Sequence, residues 1–146
     1  MERTFHMLLY RAFHAQHNAL RPSLHRLGLG TGQPKILECL IARGECNQKS
    51  IAADCEIEQT TVGSILSRME RDGLVRRTQR EGNRRSLYVS LTPLGRQLGE
   101  KMQAVFQQAD DMACANLTAE QQKQLEVLSE RVGRLEEENR TLREAT

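Results

Sequence analysis

Large aromatic side chains are scarce in this chain of 146 residues. It has no tryptophan, two tyrosines and three phenylalanines, so aromatic residues make up 3% of the sequence. Proteins that bind single-stranded nucleic acid usually stack the bases on aromatic side chains, and this composition argues against that mode. Hydrophobic residues still amount to 38%, which is enough for a folded, helix-rich domain with an aliphatic core.

Long apolar runs are missing as well. No stretch reaches the roughly 18 apolar residues of a membrane-spanning helix. The apolar stretch near the N terminus is too short and interrupted for a secretory signal. We therefore expect a cytoplasmic protein.

Cysteine pairs with metal-binding spacing are also absent. The four cysteines form no CxxC pair and no zinc-finger pattern, so free thiols are expected in a reducing cytosol. Cys39 and Cys55 fall on apolar helix faces, Cys114 lies near the end of the fifth predicted helix, and Cys46 in a predicted loop is the best candidate for an exposed thiol. Redox sensing by a cysteine is one alternative function.

The charge is small in total but unevenly distributed. The net charge is +2, yet Arg68–Arg85 holds seven arginines against three acidic residues and no lysine. Arginine makes forked contacts with phosphate and guanine. This segment is the one dense basic patch of the sequence.

Hydrophobic periodicity predicts four helices in the first half of the chain. Pro22 predicts a kink or break near Arg21 in the first helix. Asn47 is a suitable N-cap for the third, and Gly73 a suitable residue beyond the C terminus of the fourth. The predicted ranges are about Arg3–Leu27, Gln33–Arg43, Asn47–Cys55 and Gln59–Arg71.

A change of period after Gly73 predicts a β-hairpin. Its strands are Leu74–Arg77 and Ser86–Leu91, with a turn over Gln79–Asn83. A fifth helix then begins at Thr92 and Pro93 and extends to about Ala115.

The sixth helix begins at a capping box formed by Thr118 and Gln121. It carries a short heptad pattern, in which an asparagine occupies one core position. Three heptads are short for an independent coiled coil. The sequence therefore leaves two arrangements open, in which the tail either forms a coiled coil or packs within a dimer. The heptad positions are Leu125, Val132 and Asn139, alternating with Leu128, Leu135 and Leu142.

The predicted elements follow one another in the order of a winged helix-turn-helix, which is helix, short helix, turn, helix and hairpin. We therefore expect a mainly α fold with a small β-hairpin, in one continuous unit over residues 1–146. Residues 31–95 would form the DNA-binding lobe, and residues 1–30 and 96–146 the dimerisation helices. Recognition helices read the major groove of duplex DNA, while arginines of the hairpin reach the backbone or the minor groove. The predicted contact residues are Gln59, Thr60, Thr61, Ser64, Arg68 and Arg71 on the fourth helix, with Gly63 and Ser67 on the same outward face, and Arg80, Arg84 and Arg85 on the hairpin.

The segment Gln59–Val75 resembles the recognition helix of the MarR family of bacterial regulators. Arg80 and the segment Asn83–Gly95 resemble its wing and the start of its fifth helix. The resemblance covers the whole chain in element order and is specific from about Gly32 to Gly95. It implies a homodimer on a palindromic double-stranded DNA site, with dimer contacts from the first, fifth and sixth helices. By the same resemblance, Thr60, Thr61 and Ser64 would lie at the major groove, and Arg84 and Arg85 at the wing tip, with Arg85 entering the minor groove.

Two positions depart from the family pattern. Asn83 stands where the family usually has aspartate, so the pairing of that residue with the wing arginine is reduced to a hydrogen bond. Gly63 and Ser64 replace bulkier or basic residues, which implies weaker direct base readout and more dependence on DNA shape.

The resemblance further implies a repressor that a small-molecule effector releases from DNA. The effector would bind between the first, second and fifth helices, near Tyr10, His14, His17 and Arg21. The spacing of His14 and His17 would let both side chains bind one metal ion. No acidic residue or cysteine lies nearby in the sequence to complete such a site, so we expect neither a metal nor a cofactor.

The same sequence bears on two other function classes. No P-loop, dinucleotide-binding glycine pattern or nucleophile elbow is present, so no catalytic residue is predicted and an enzyme is not expected. A protein-interaction module that pairs through its heptad tail remains an alternative. The arginines at 84 and 85, with Arg68 and Arg71, favour DNA binding over it.

Overall fold

Six helices and three short strands succeed one another between Arg3 and Ala145. The computed structural model describes this stretch, excepting the side chains at positions 83, 84, 136, 140, 143 and 144. In chain order the elements are α1 (Phe5–Arg26), α2 (Gln33–Arg43), β1 (Cys46–Asn47), α3 (Gln48–Cys55), α4 (Gln59–Arg71), β2 (Val75–Arg80), β3 (Asn83–Leu91), α5 (Pro93–Cys114) and α6 (Ala119–Glu144).

Side-chain caps set the helix starts that the sequence predicts. The Asn47 side chain accepts a hydrogen bond from the Ser50 amide at 2.8 Å, and Thr92 Oγ1 accepts one from the Gly95 amide at 3.0 Å. Thr118 and Gln121 form the expected capping box at the start of α6. Each cap satisfies an amide that the helix itself leaves unpaired, and the three predictions are confirmed.

The break expected at Pro22 is wrong, because α1 continues through Pro22 to Arg26. A proline inside a helix removes one backbone hydrogen bond. The surrounding turns of this 22-residue helix tolerate that loss.

The three strands form one antiparallel sheet in the order β1-β3-β2. The hairpin is longer and its turn tighter than predicted, since only Glu81 and Gly82 separate β2 from β3. Gly82 has φ +83°, a left-handed conformation that suits glycine in a two-residue turn. The sequence did not predict strand β1, because two residues carry no periodic signal. This strand pairs Cys46 with Val89, and Cys46 is half-buried there, so the expectation of an exposed thiol in a loop is wrong.

The core lies where α2, α3 and α4 meet the sheet and α5. These helices bury the apolar positions that their spacing predicts. The largest buried apolar side chains are Ile36, Leu37, Leu40, Ile51, Val62, Leu66, Met69, Val89 and Met102.

Contacts divide the chain into one unit that ends at Ala109 and another that begins at Asp110. Within the first unit, α1 has no buried residue. Within the second, Leu125, Leu128, Leu135 and Leu142 of α6 are all exposed. No helix in the described part of the chain has the length and apolar character to cross a membrane.

Candidate nucleic-acid interface

Helix α4 has one apolar and one polar face. Val62, Ile65, Leu66 and Met69 are buried, and they fix the helix against the core with α3 packed beside it. The opposite face is therefore held toward solvent. Its exposed residues are Gln59, Thr60, Thr61, Ser64, Ser67, Arg68 and Arg71.

The hydroxyl groups on this face are small and partly engaged. Ser64 Oγ donates to the Thr60 carbonyl at 3.2 Å, and Ser67 Oγ donates to the Gly63 carbonyl at 2.9 Å. A hydroxyl that donates keeps its acceptor capacity. At these positions the exposed face carries short polar side chains, so the backbone of a binding partner can approach α4 closely.

Gly63 does not belong to that outward face, which corrects the sequence prediction. It is half-buried, and a Cβ built on it would lie 3.2 Å from Nε2 of Gln48. The missing side chain therefore leaves room for the Gln48 side chain of α3 beside α4.

Arg85 on β3 is exposed and borders the same groove as the start of α4. This groove has a volume of about 220 Å³. It brings the predicted residues Gln59 and Arg85 together with Lys49, which sequence reasoning missed. The lining residues are Asn47, Gln48, Lys49, Gln59, Arg85, Ser86 and Leu87. The side chains of Asn83 and Arg84 lie outside the described set, so their predicted roles stay predictions.

Arg80 is held against the protein. Its Nη2 donates to Glu45 Oε1 at 2.8 Å, and its guanidinium carbon lies 3.7 Å from the centre of the Tyr88 ring. The hydrogen bond to Glu45 raises the pKa of Arg80 above its ordinary value. In this arrangement Arg80 ties the wing to the loop between α2 and β1. Its predicted DNA contact stays a prediction.

Arg77 connects β2 to α4. Its main-chain amide donates to Glu70 Oε2 at 3.0 Å, and its guanidinium donates to Ser67 Oγ at 3.0 Å and to Glu70 Oε1 at 3.4 Å. The backbone hydrogen bond from Arg77 is the main reason that the pKa of Glu70 is lowered. The Arg77 side chain is 18% exposed, so it braces the wing against α4.

Removing the carboxylate of Glu45 is expected to loosen the wing without unfolding the protein. Glu45→Gln breaks the ion pair with Arg80, and exposed ion pairs contribute little to global stability. We expect amide hydrogen exchange in the β2–β3 turn to become severalfold faster while the unfolding midpoint stays unchanged. Glu100→Gln, which removes a carboxylate from the exposed side of α5, is the control. Equal exchange in the wings of both variants would contradict the role given to Glu45.

Comparison with known proteins agrees with this architecture. A sequence profile of the MarR family matches residues 31–87. The homoprotocatechuate degradative operon repressor of Escherichia coli is 34% identical over 122 residues, which cover 84% of this chain and 82% of that protein.

Solved structures share the fold over most of the chain. A MarR-family regulator from Silicibacter pomeroyi has a TM-score of 0.75 at 26% identity and covers 88% of each chain. NadR in complex with 4-hydroxyphenylacetate has a TM-score of 0.76 at 23% identity, covering 92% of this chain and 95% of NadR. The mainly helical fold with its small antiparallel sheet agrees with these matches, and the chain belongs to the MarR family of transcriptional regulators.

Proposed function

We propose that this protein is a homodimeric repressor that binds palindromic double-stranded DNA and leaves it when a small aromatic acid binds. The observation that carries the proposal is the groove shared by Gln59 at the start of α4 and Arg85 on the wing. A recognition helix inserted in the major groove would place that wing over the adjacent backbone or minor groove.

The charge distribution supports a duplex as the ligand. Exposed Arg68 and Arg71 follow the polar positions of α4, and Arg85 extends the same basic surface to the wing. Arginine contacts with phosphates release counterions, so binding of this kind weakens steeply with salt. A protein-interaction module has no need for this arrangement.

The first helix supports a homodimer. A 22-residue helix without a buried residue leaves a large apolar surface in water, and soluble monomers rarely expose such a patch. A second copy would bury it. The exposed apolar residues of α1 are Phe5, Met7, Leu8, Leu9, Tyr10 and Phe13.

Placing a charge on this apolar face is expected to break the dimer. Leu9→Glu would bury an unpaired carboxylate in the interface, which is costly, and we expect dimerisation to weaken at least about tenfold. Asn18→Glu is the control, since nine residues at 100° each place it on the side of α1 opposite the apolar stripe formed by Phe5, Leu9 and Phe13. Analytical ultracentrifugation over a concentration series measures both. A Leu9→Glu protein that dimerises as tightly as Asn18→Glu would refute this interface.

The proposed effector is a hydroxylated aromatic carboxylic acid. One exposed side of α1 carries Tyr10, His14, His17 and Arg21. The ring centres of Tyr10 and His14 lie 4.4 Å apart. An aromatic ring, imidazoles and a guanidinium suit a ligand with a ring and a carboxylate. NadR was solved with 4-hydroxyphenylacetate, a ligand of this class.

Fluorescence anisotropy with duplex DNA from upstream of the protein's own gene tests the proposal. We expect tight binding at low salt, a steep linear loss of log affinity with log salt, and weaker binding when 4-hydroxyphenylacetate is added. Phenols that lack a carboxylate serve as the ligand control. Absence of binding at low salt would favour the interaction-module alternative.

A further inference from the structure

The side chain of Arg80 reaches across the width of the sheet. Arg80 is the last residue of β2, and its guanidinium carbon lies 3.7 Å from the centre of the Tyr88 ring on the middle strand, β3. Its hydrogen-bond partner Glu45 directly precedes the far strand, β1. The two-residue turn of the hairpin follows Arg80 at once. Arg80 therefore lies next to the turn of the wing, which the proposed function places over the DNA backbone or minor groove.

The ion pair between Arg80 and Glu45 is exposed to water. The Arg80 side chain is 56% exposed and the Glu45 side chain 43%, and a hydrogen bond of 2.8 Å joins them. In exposed pairs the attraction of the two charges is nearly balanced by the hydration that they give up and by screening. The pair can therefore open at little cost, and another anion can take the place of Glu45.

The ion pair of Arg77, on the same strand, is built differently. Arg77 makes two hydrogen bonds to Glu70 and one to Ser67, and its side chain is only 18% exposed. A phosphate could reach its guanidinium only after the wing had separated from α4. Of these two arginines, Arg80 is the one that can change its partner.

The Tyr88 ring keeps the Arg80 guanidinium in place while its partner changes. A cation over the face of an aromatic ring is attracted to it, and this contact does not depend on Glu45. The backbone of Tyr88 is itself fixed in the middle of the sheet, where it pairs with Asn47 on one side and Thr78 on the other. Arg80 therefore stays beside the turn after Glu45 has left it.

We propose that Glu45 occupies, in the free protein, the place on Arg80 that a backbone phosphate of DNA takes in the complex. The exchange breaks one ion pair and forms another, and it leaves Glu45 unpaired near a negatively charged backbone. Glu45 is thus an internal competitor that lowers the affinity for DNA. Contacts with phosphates carry no sequence information, so the competition acts on every duplex. This inference rests on the proposed function.

Glu45→Gln removes the competitor, and fluorescence anisotropy measures the result. We expect affinity to rise about twofold to fivefold, the equilibrium constant of an exposed ion pair, both on the upstream duplex and on a scrambled duplex of equal length. The slope of log affinity against log salt should stay unchanged, because Arg80 contacts one phosphate in both proteins. A lower affinity of Glu45→Gln would show that Glu45 supports the wing on DNA, and it would overturn the proposal.

The Arg80→Ala background tests whether the gain depends on Arg80. Without Arg80 there is no cation for which Glu45 and a phosphate compete, so Glu45→Gln should then give little gain. Glu81→Gln is the matched control, because it removes the same charge one residue away and leaves the pair of Arg80 and Glu45 in place. Its effect should be the same with and without Arg80. Equal gains from Glu45→Gln in the two backgrounds would mean general repulsion of DNA and would refute the competition.

Ethylation interference gives a readout that includes the unaltered protein. Ethylation removes the charge of single phosphates, so it should impair binding at the phosphate that Arg80 contacts. We expect this position to be marked with the wild type and with Glu45→Gln, and to lose its mark with Arg80→Ala. Identical marks for the wild type and Arg80→Ala would show that Arg80 stays on Glu45 in the complex, contrary to the proposal.

The same titrations separate this inference from the proposed function. If the wild type binds the upstream duplex and Glu45→Gln binds it with equal affinity, the competition is refuted and the proposed function is not. If neither the wild type nor any variant binds at low salt, both are refuted. Binding that appears only in Glu45→Gln would support the competition in its strongest form.

Discussion

Gly95→Ala is expected to destabilise the protein by about 3 kcal/mol, the upper part of the range for forcing extra atoms into a packed site. Gly95 is buried in the first turn of α5, and a Cβ there would overlap the carbonyl oxygen of Leu74. That oxygen also accepts hydrogen bonds from the Thr92 amide and hydroxyl, each at 3.1 Å. The clash is with backbone, so no rotamer change relieves it.

Urea denaturation at one fixed protein concentration measures this effect, and Gly133→Ala is the matched control. Gly133 lies inside α6, and apart from its chain neighbours and the backbone of its own helix no described atom lies within 4 Å of the position that a Cβ would take. Alanine there should be neutral or stabilising by up to about 1 kcal/mol, because glycine is the poorer helix former. Equal unfolding midpoints for the two variants would contradict the close approach of α5 to the backbone of Leu74.

Arg85→Ala is expected to lower affinity for the DNA site by about tenfold to a hundredfold, the cost of losing one good arginine contact. Its side chain is exposed and borders the groove beside Gln59, so we expect its loss to remove the proposed DNA contact and to leave the fold intact. We expect the slope of log affinity against log salt to fall by about one.

Arg77→Ala serves as the comparison, since it also removes an arginine from the hairpin. Arg77 is largely covered and bonded to Glu70 and Ser67, so its loss should reduce stability more than DNA affinity. Anisotropy titrations at fixed salt give both affinities, and urea denaturation gives both stabilities. Equal losses of affinity, or a greater loss for Arg77→Ala, would contradict the roles assigned to the two arginines.

The local parts of the fold could be predicted from the sequence. The bounds of α2 and α4 agree with their apolar spacing, and the caps at Asn47, Thr92 and Thr118 lie where hydrogen-bonding side chains precede helical stretches. A helix and its cap depend on residues a few positions apart. Sequence patterns carry that information directly.

The features that no pattern predicted depend on residues far apart in the chain. Arg80 meets Glu45 across 35 positions, and Cys39 Sγ of α2 donates to Asp54 Oδ2 of α3 across 15 positions. Helical spacing predicts an outward Gly63, because spacing alone does not reveal Gln48 of α3 beside it. These contacts follow from tertiary packing, and only a structure provides them.

The symmetric use of α4 and the wing on duplex DNA is the central claim, and hydroxyl-radical footprinting of the bound upstream site tests it most directly. We predict two protected segments related by a twofold centre, with half-sites separated by about one helical turn or a multiple of it. A single asymmetric footprint, or none at a salt concentration where the protein is folded, would contradict the account.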